Sequence, residues 1–120
     1  MKTKQFDFVQ VNFSMAEREA EARLIPLCAD TATAVIINRP FAGADLFSRA
    51  KGKALPAWAA DFDCTSWGQF FLKWILGQPA VTCVIPGTRR TAHLNDNVQA
   101  GMGRLPDAGM RKRMVEYLKP

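Results

Sequence analysis

The residue types that could bind a phosphate group are concentrated in one segment near the middle of the C-terminal half. An apolar, β-branched run at residues 80–85 reads as a strand buried on both faces, and Pro86-Gly87 stops it before a polar, helix-like segment that begins at about residue 90. A strand that leads through a glycine into a helix presents free backbone N–H groups and the positive end of the helix dipole. Thr88 adds a hydroxyl donor, and Arg89 and Arg90 add guanidinium groups. The segment is predicted to hold the phosphate end of a nucleotide cofactor; on spacing alone, a surface turn with solvent-facing arginines is the alternative.

The elements that would position this segment alternate between strands and helices. Strands are predicted at residues 8–13, 34–38 and 80–85, and helical segments at 16–29, 56–62, 67–76, 90–100 and 105–118. The apolar residues of segment 41–53 show no clear helical or strand period. The segment is predicted to form a loop that is long enough to suggest a functional role. Because strands alternate with helices, we expect right-handed crossovers and a parallel sheet. No repeat or linker divides the chain, so one α/β domain is expected.

The helix predicted at residues 67–76 has the strongest apolar face. Ser66 is expected to cap its N-terminus and Gly77 to end it. Its core-facing residues are predicted to be Phe70, Phe71, Trp74 and Ile75. The roles of Trp58, Phe62 and Trp67 stay open, since these rings could pack under the loop or line a substrate mouth.

Composition limits the classes of partner. The chain has 120 residues, of which 48% are apolar, and a net charge of +5. That charge permits a polyanionic partner, but many basic residues adjoin acids and no aromatic interrupts the basic run at 111–113, so nucleic-acid binding is not expected. No run approaches the length of a membrane span, and the N-terminus lacks the apolar core of a signal peptide. A cytoplasmic protein is therefore expected.

The cysteines do not form a metal-binding or disulfide pattern. Cys28, Cys64 and Cys83 are odd in number and far apart, and the chain has a single histidine. We expect reduced and mostly buried thiols, and no metal site.

Several segments, taken in chain order, resemble the C-terminal part of an aldo/keto reductase. They are Asp-Phe-Val-Gln-Val-Asn-Phe-Ser at 7–14, Val-Ile-Ile-Asn-Arg-Pro-Phe at 35–41, Leu-Lys-Trp-Ile-Leu at 72–76, Val-Ile-Pro-Gly-Thr at 84–88 and His-Leu-Asn-Asp-Asn at 93–97. The Ile-Pro-Gly-Thr segment with its trailing asparagine is the specific one, and the resemblance extends from about residue 6 to 118. It implies part of a (β/α)₈ barrel, with the three strands as its sixth, seventh and eighth. The whole chain, residues 1–120, would be the C-terminal portion of an NADP-dependent oxidoreductase domain. In such barrels phosphate sites often follow strands seven and eight.

The resemblance also implies where the nicotinamide half of NADP(H) would lie. Gln10 would hydrogen-bond the nicotinamide carboxamide; a polar strand residue satisfied by its neighbours is the alternative. Asn38 and Arg39 would lie at the cofactor face after the seventh strand. Phe41 and the loop after it would fold over the pyrophosphate. Many family members have an aromatic residue where Asn38 stands, and it stacks on the nicotinamide. This chain lacks that stacking surface.

The adenosine half would lie around the last strand and the helix after it. Gly87 lies in the turn, and Thr88, Arg89 and His93 would surround the 2′-phosphate. Asp96 and Asn97 would contact the adenine edge. The alternatives are a partly exposed helix residue for His93, a solvated acid for Asp96 and a side chain bonded to its own backbone for Asn97. Many members have lysine at the position of Gly87 and arginine at that of His93, which leaves the preference for NADPH over NADH open.

The catalytic residues implied by the resemblance are not in this chain. The family's aspartate, tyrosine, lysine and histidine belong to the first half of the barrel, and the single tyrosine (Tyr117) and histidine (His93) here match non-catalytic positions. A barrel needs roughly 250 residues, and carbonyl reduction needs a proton donor beside the oxygen. The expected protein is a fragment of an NADPH-dependent reductase of aldehydes or ketones, inactive alone. A stand-alone, non-enzymatic half-barrel that self-associates through open sheet edges or binds a nucleotide is the alternative.

Overall fold

A parallel three-stranded sheet forms the centre of the computed structural model, which describes residues 7–43, 45–86 and 91–119. The strands are β1 (Phe8–Asn12), β2 (Ala34–Asn38) and β3 (Cys83–Val84), in the order β1-β2-β3. Phe8 pairs with Ala34 and Asn12 with Asn38, while Ile36 pairs with Cys83. The predicted parallel α/β sheet is confirmed, and all its carboxyl ends meet at one edge.

Six α-helices and one 3₁₀ helix surround the sheet in the described part of the chain. The α-helices are α1 (Glu19–Ala22), α2 (Leu24–Asp30), α3 (Asp45–Ala50), α4 (Trp67–Leu76), α5 (Thr91–Gln99) and α6 (Ala108–Tyr117), and the 3₁₀ helix is Ala57–Phe62. The helix predicted at 16–29 is broken at Arg23, whose φ of −142° is not helical. Pro26 then falls in the first turn of α2, where its missing N–H leaves no helical bond unmade.

The prediction of a loop over residues 41–53 is wrong in part, because α3 lies inside it. Leu46 and Ala50 lie four residues apart on the inner face of α3 and are 0% and 4% exposed. On the outer face, Arg49 Nε lies 3.1 Å from Asp45 Oδ2. Two glycines with positive φ, Gly43 and Gly52, flank the helix. Contacts with the core therefore stabilise this helix. It is too short to show a clear helical period in the sequence.

The prediction that the third strand is buried on both faces is also wrong. The regular strand is only Cys83–Val84, and Ile85 is 50% exposed. Thr82 N and Ile85 N extend the pairing by donating to Val35 O (2.9 Å) and Ile37 O (2.8 Å). Within the described chain, β3 pairs with a strand on one side only, and its residues Cys83 and Val84 are exposed and half-buried, respectively.

The core lies between the sheet and α4. As predicted, the core-facing residues of α4 are buried, and they are Phe70, Phe71, Trp74 and Ile75. The Trp74 ring lies 5.2 Å from that of Phe13, and its Nε1 donates to Arg111 O at 3.1 Å, which joins α6 to the core. No helix among the described residues is long and apolar enough to cross a membrane.

Candidate functional site

Polar side chains meet at the carboxyl ends of β1 and β2. Asn38 Nδ2 donates to Asn12 Oδ1, across the last pair of the β1–β2 register. Gln10 lies two residues before Asn12 on β1, so both project from the same face of the strand, and Gln10 is exposed. The structure therefore brings Gln10 and Asn38 to one region. Asn12 was missed as a site residue, although its register with Asn38 follows from aligning the two strands.

Backbone in the left-handed region turns the chain immediately after β2. Arg39 has φ +53° and Ala42 has φ +52°, values that cost a non-glycine residue about 1–2 kcal/mol each. The turn is closed by Ala42 N, which donates to Arg39 O at 3.1 Å. Arg39 is exposed, and the turn leads Phe41 away from the sheet edge towards α4.

Four of the predicted site residues line one cleft. Phe41, from the segment after β2, meets His93, Asp96 and Asn97, from α5, around a cavity of about 480 Å³. The other lining residues are Phe47, Ser66, Trp67 and Gly68. The cleft lies between α3, α4 and α5 and falls within the usual size range of small-molecule sites, about 300–1,000 Å³.

One wall of the cleft is aromatic. The Phe47 ring lies 4.9 Å from Phe41 and 5.2 Å from Phe71, and Trp67 stacks on Phe71 at 5.7 Å with 26° between the planes. Phe47 remains 42% exposed. Sequence reasoning missed Phe47 because it lies in the segment without a period. It left Trp67 open between packing under the loop and lining a substrate mouth; Trp67 packs on Phe71 and lines this cleft.

The opposite wall is the contact between α4 and α5. Asp96 accepts hydrogen bonds from Ser66 Oγ to Oδ2 (2.7 Å) and from Gln69 Nε2 to Oδ1 (2.9 Å). Ser66 also caps α4 as predicted, since its Oγ accepts from Gln69 N at 3.1 Å. His93 and Asn97 lie four residues apart and so share one face of α5. His93 is exposed and Asn97 half-buried.

A glycine in α4 allows the two helices to approach. A Cβ at Gly68 would lie 3.1 Å from Asp96 Oδ2 and 3.8 Å from Asn97 Oδ1. A Cβ at this position would therefore push on Asp96 and come into contact with Asn97, two of the side chains of α5 that line the cleft.

The predicted phosphate-binding turn lies outside the described residues. Gly87, Thr88 and Arg89 belong to the gap at 87–90, between the end of β3 and the start of α5. Their predicted roles therefore stay predictions.

Other ionisable side chains lie outside the cleft. Lys73 on α4 is fully buried, donates to Met102 O (2.7 Å) and Arg104 O (3.0 Å), and has its pKa lowered by burial. Burial raises the pKa of Cys64 to about 11. Tyr117 donates its hydroxyl to Ala54 O at 2.8 Å. Across the described ranges, no three His, Cys, Asp or Glu side chains cluster as a metal site would require.

Comparison with known proteins identifies the family. Residues 1–113 match the sequence profile of the aldo/keto reductase family. The fold is similar to aldo-keto reductase AKR11C1 from Bacillus halodurans in its holo and apo forms, with a TM-score of 0.71 and 17% identity in each case. The alignments cover 99% of this chain but only 44% and 45% of those chains, so the chain spans less than half of their length. At that identity the likeness establishes the fold, which is part of a (β/α)₈ barrel, while the profile match over nearly the whole sequence shows that this chain belongs to the aldo/keto reductase family.

Proposed function

We propose that this chain is the C-terminal part of an NADPH-dependent aldo/keto reductase and carries the adenosine end of the cofactor site. The observation that carries the proposal is the cleft in which Phe41, His93, Asp96 and Asn97 converge from two separate segments. The family resemblance implies a cofactor-binding role for each of these residues, and nothing in the chain's local pattern requires Phe41 to meet the three residues of α5.

The chemistry of the cleft suits a phosphorylated adenosine. The aromatic wall offers a flat apolar surface to a base, and the Asn97 amide offers both a donor and an acceptor to its edge. Thr88, Arg89 and His93 would supply donors and positive charge to the 2′-phosphate, with Gly87 allowing the backbone to approach. Phe41 and the loop after it would cover the pyrophosphate, Asn38 and Arg39 would lie at the cofactor face, and Gln10 would hydrogen-bond the nicotinamide carboxamide.

Reduction of the carbonyl is assigned to a part of the barrel that this chain does not include. NADPH supplies the hydride when bound, and an acid must protonate the substrate oxygen. Tyr117 is hydrogen-bonded to Ala54 O, and His93 lies in the adenosine cleft. We expect this chain alone to bind NADPH without reducing aldehydes; clear turnover by the purified 120-residue chain would overturn the assignment.

The test of the proposal is fluorescence titration of the chain with NADPH and with NADH. Arg89→Ala should weaken NADPH binding about 10- to 100-fold and NADH binding much less, since a charge-assisted hydrogen bond is worth about 1.5–3 kcal/mol. Lys112→Ala, an exposed residue of α6, removes the same charge and should leave both affinities unchanged. Equal losses for the two cofactors would remove the 2′-phosphate role, and the absence of saturable binding would overturn the adenosine site.

A second candidate function, a self-associating half-barrel, is favoured by the open sheet. Within the described chain β1 and β3 each pair on one side only, and Phe8 and Ile85 beside these edges are 56% and 50% exposed. Unpaired strand edges and exposed apolar residues favour association with another chain. Sedimentation velocity should therefore show a dimer or larger species at high concentration; a strictly monomeric, folded chain would contradict this candidate.

A further inference from the structure

The side chain of Gln69 links α4 to α5 through hydrogen bonds at both ends of its amide. Gln69 is 3% exposed, and its Oε1 accepts from Thr65 N (2.9 Å) and Thr65 Oγ1 (3.1 Å). These contacts fix the orientation of the amide, so that Nε2 points at Asp96 Oδ1. Ser66 Oγ is similarly fixed, because it accepts from Gln69 N and must direct its proton to Asp96 Oδ2. Asp96 thus receives one donor on each carboxylate oxygen.

Apolar burial does little to fix the orientation of α5. Leu94 and Val98 are 52% and 53% exposed, and none of the side chains described between His93 and Gln99 is fully buried. Among the described side chains of α5, the hydrogen-bonded contact of Asp96 with Ser66 and Gln69 therefore holds the rotation of the helix about its axis. Rotation matters because His93 and Asn97 share a face of α5 next to Asp96 and line the same cleft.

We infer that Ser66 and Gln69 are positioning residues of the nucleotide site: by holding Asp96 they orient α5 so that His93 and Asn97 face the ligand. Asp96 then serves as the anchor of α5 rather than as a contact to adenine. Its Oδ2 is also packed against α4 at Gly68, which closes one side of the carboxylate. The inference rests on the proposed function, because it concerns the same cleft.

An exchange of the amide and the carboxylate tests the inference. Gln69→Glu alone sets two carboxylates against each other and should weaken NADPH binding about 10-fold, within the coupling expected of contacting residues. Asp96→Asn alone leaves one acceptor oxygen for two donors, so its amide N–H group faces either Gln69 Nε2 or the Ser66 hydroxyl, and the change should weaken binding similarly. In the double variant, the amide at position 96 donates to the carboxylate at position 69, and Ser66 and Thr65 keep their acceptors. NADPH affinity should then return to within about 3-fold of the wild type.

A pair of cap variants separates positioning from general stability. Ser66→Ala and Asp107→Ala each remove the side-chain cap of a ten-residue helix, α4 or α6, but only Ser66 also contacts Asp96. Both should lower the melting temperature, and only Ser66→Ala should raise the Kd for NADPH.

The outcomes distinguish this inference from the proposed function. A double variant that regains the wild-type melting temperature but still binds NADPH weakly would show that Asp96 contacts the nucleotide itself, and would overturn the positioning role. Equal Kd values for Ser66→Ala and the wild type would also overturn it. A wild-type chain that binds no NADPH would instead refute the proposed function, and this inference with it.

Discussion

Gly68→Ala should separate nucleotide binding from stability. Gly68 is the second residue of α4 and has a helical backbone, so alanine there gains up to about 1 kcal/mol of helix propensity. The added methyl group would lie 3.1 Å from Asp96 Oδ2, and this oxygen must move by a few tenths of an ångström. Distorting the two hydrogen bonds of Asp96 costs on the order of 1 kcal/mol. The two effects nearly cancel, so we expect the free energy of unfolding to change by less than about 1 kcal/mol.

The same methyl group should weaken NADPH binding. It would lie 3.8 Å from Asn97 Oδ1 and 3.9 Å from Phe47 Cζ, between the polar and aromatic walls of the cleft. With a nucleotide in the cleft, the methyl group would compete with the ligand for space, and over-filling a packed site typically costs about 1–3 kcal/mol, which corresponds to a Kd roughly 5- to 150-fold higher.

Urea unfolding and NADPH fluorescence titration measure the two quantities on the same preparation. Gly109→Ala is the matched control: it lies in α6, its nearest neighbour would be Asp107 Oδ1 at an ordinary 3.6 Å, and it does not line the cleft. It should leave the Kd unchanged. If Gly68→Ala is as stable as the wild type and binds NADPH with the same Kd, the cleft is not the adenosine site.

Three further predictions concern stability and thiol chemistry. Hydrogen bonds from Arg104 lower the pKa of Asp63 from 3.8 to about 2, so the stabilisation is present above the higher value and is lost as the pH falls to the lower one. The free energy of unfolding of Asp63→Asn, measured in urea, should depend less on pH between these two pKa values than that of the wild type. An unchanged pH dependence would contradict the assignment. Burial raises the pKa of Cys64 to about 11 and also raises that of Cys28, whereas Cys83 is exposed. Mass spectrometry should therefore show that iodoacetamide, at a pH of about 8, modifies Cys83 first. Equal labelling of Cys64 would refute its burial. Trp74→Ala should lower the free energy of unfolding by about 3–5 kcal/mol because Trp74 is 2% exposed; half-buried Trp58→Ala should cost less, and the reverse order would contradict the described core.

Elements with strong local signals could be predicted from the sequence. The bounds of β2 and α4 agree with the structure, because a β-branched run and a capped amphipathic helix are determined by neighbouring residues. Helix α3 could not be predicted, since six residues carry too little periodicity and its stability comes from burying Leu46 and Ala50. The exposure of β3 could not be predicted either, because the sequence of a strand does not show how many other strands pair with it.

The candidate site was predictable only in part. The residues of α5 and Phe41 follow from the family resemblance, but Ser66 and Gln69 contact Asp96 across 30 and 27 residues of chain. Lys73 shows the same limit: a lysine on an amphipathic helix suggests solvent, and its burial depends on two carbonyl groups 29 and 31 residues away. Polar contacts between distant segments have no local pattern that could reveal them.

The position of the nucleotide on the chain is the most direct test of the account. Amide chemical shifts of the isotope-labelled 120-residue chain can be followed during titration with NADPH. We predict saturable shifts at Phe41 and at residues 93–97, with NADH giving the same map at weaker affinity. Shifts confined to residues outside the cleft, or none at saturating NADPH, would contradict the claim that this part of the barrel binds the adenosine end of the cofactor.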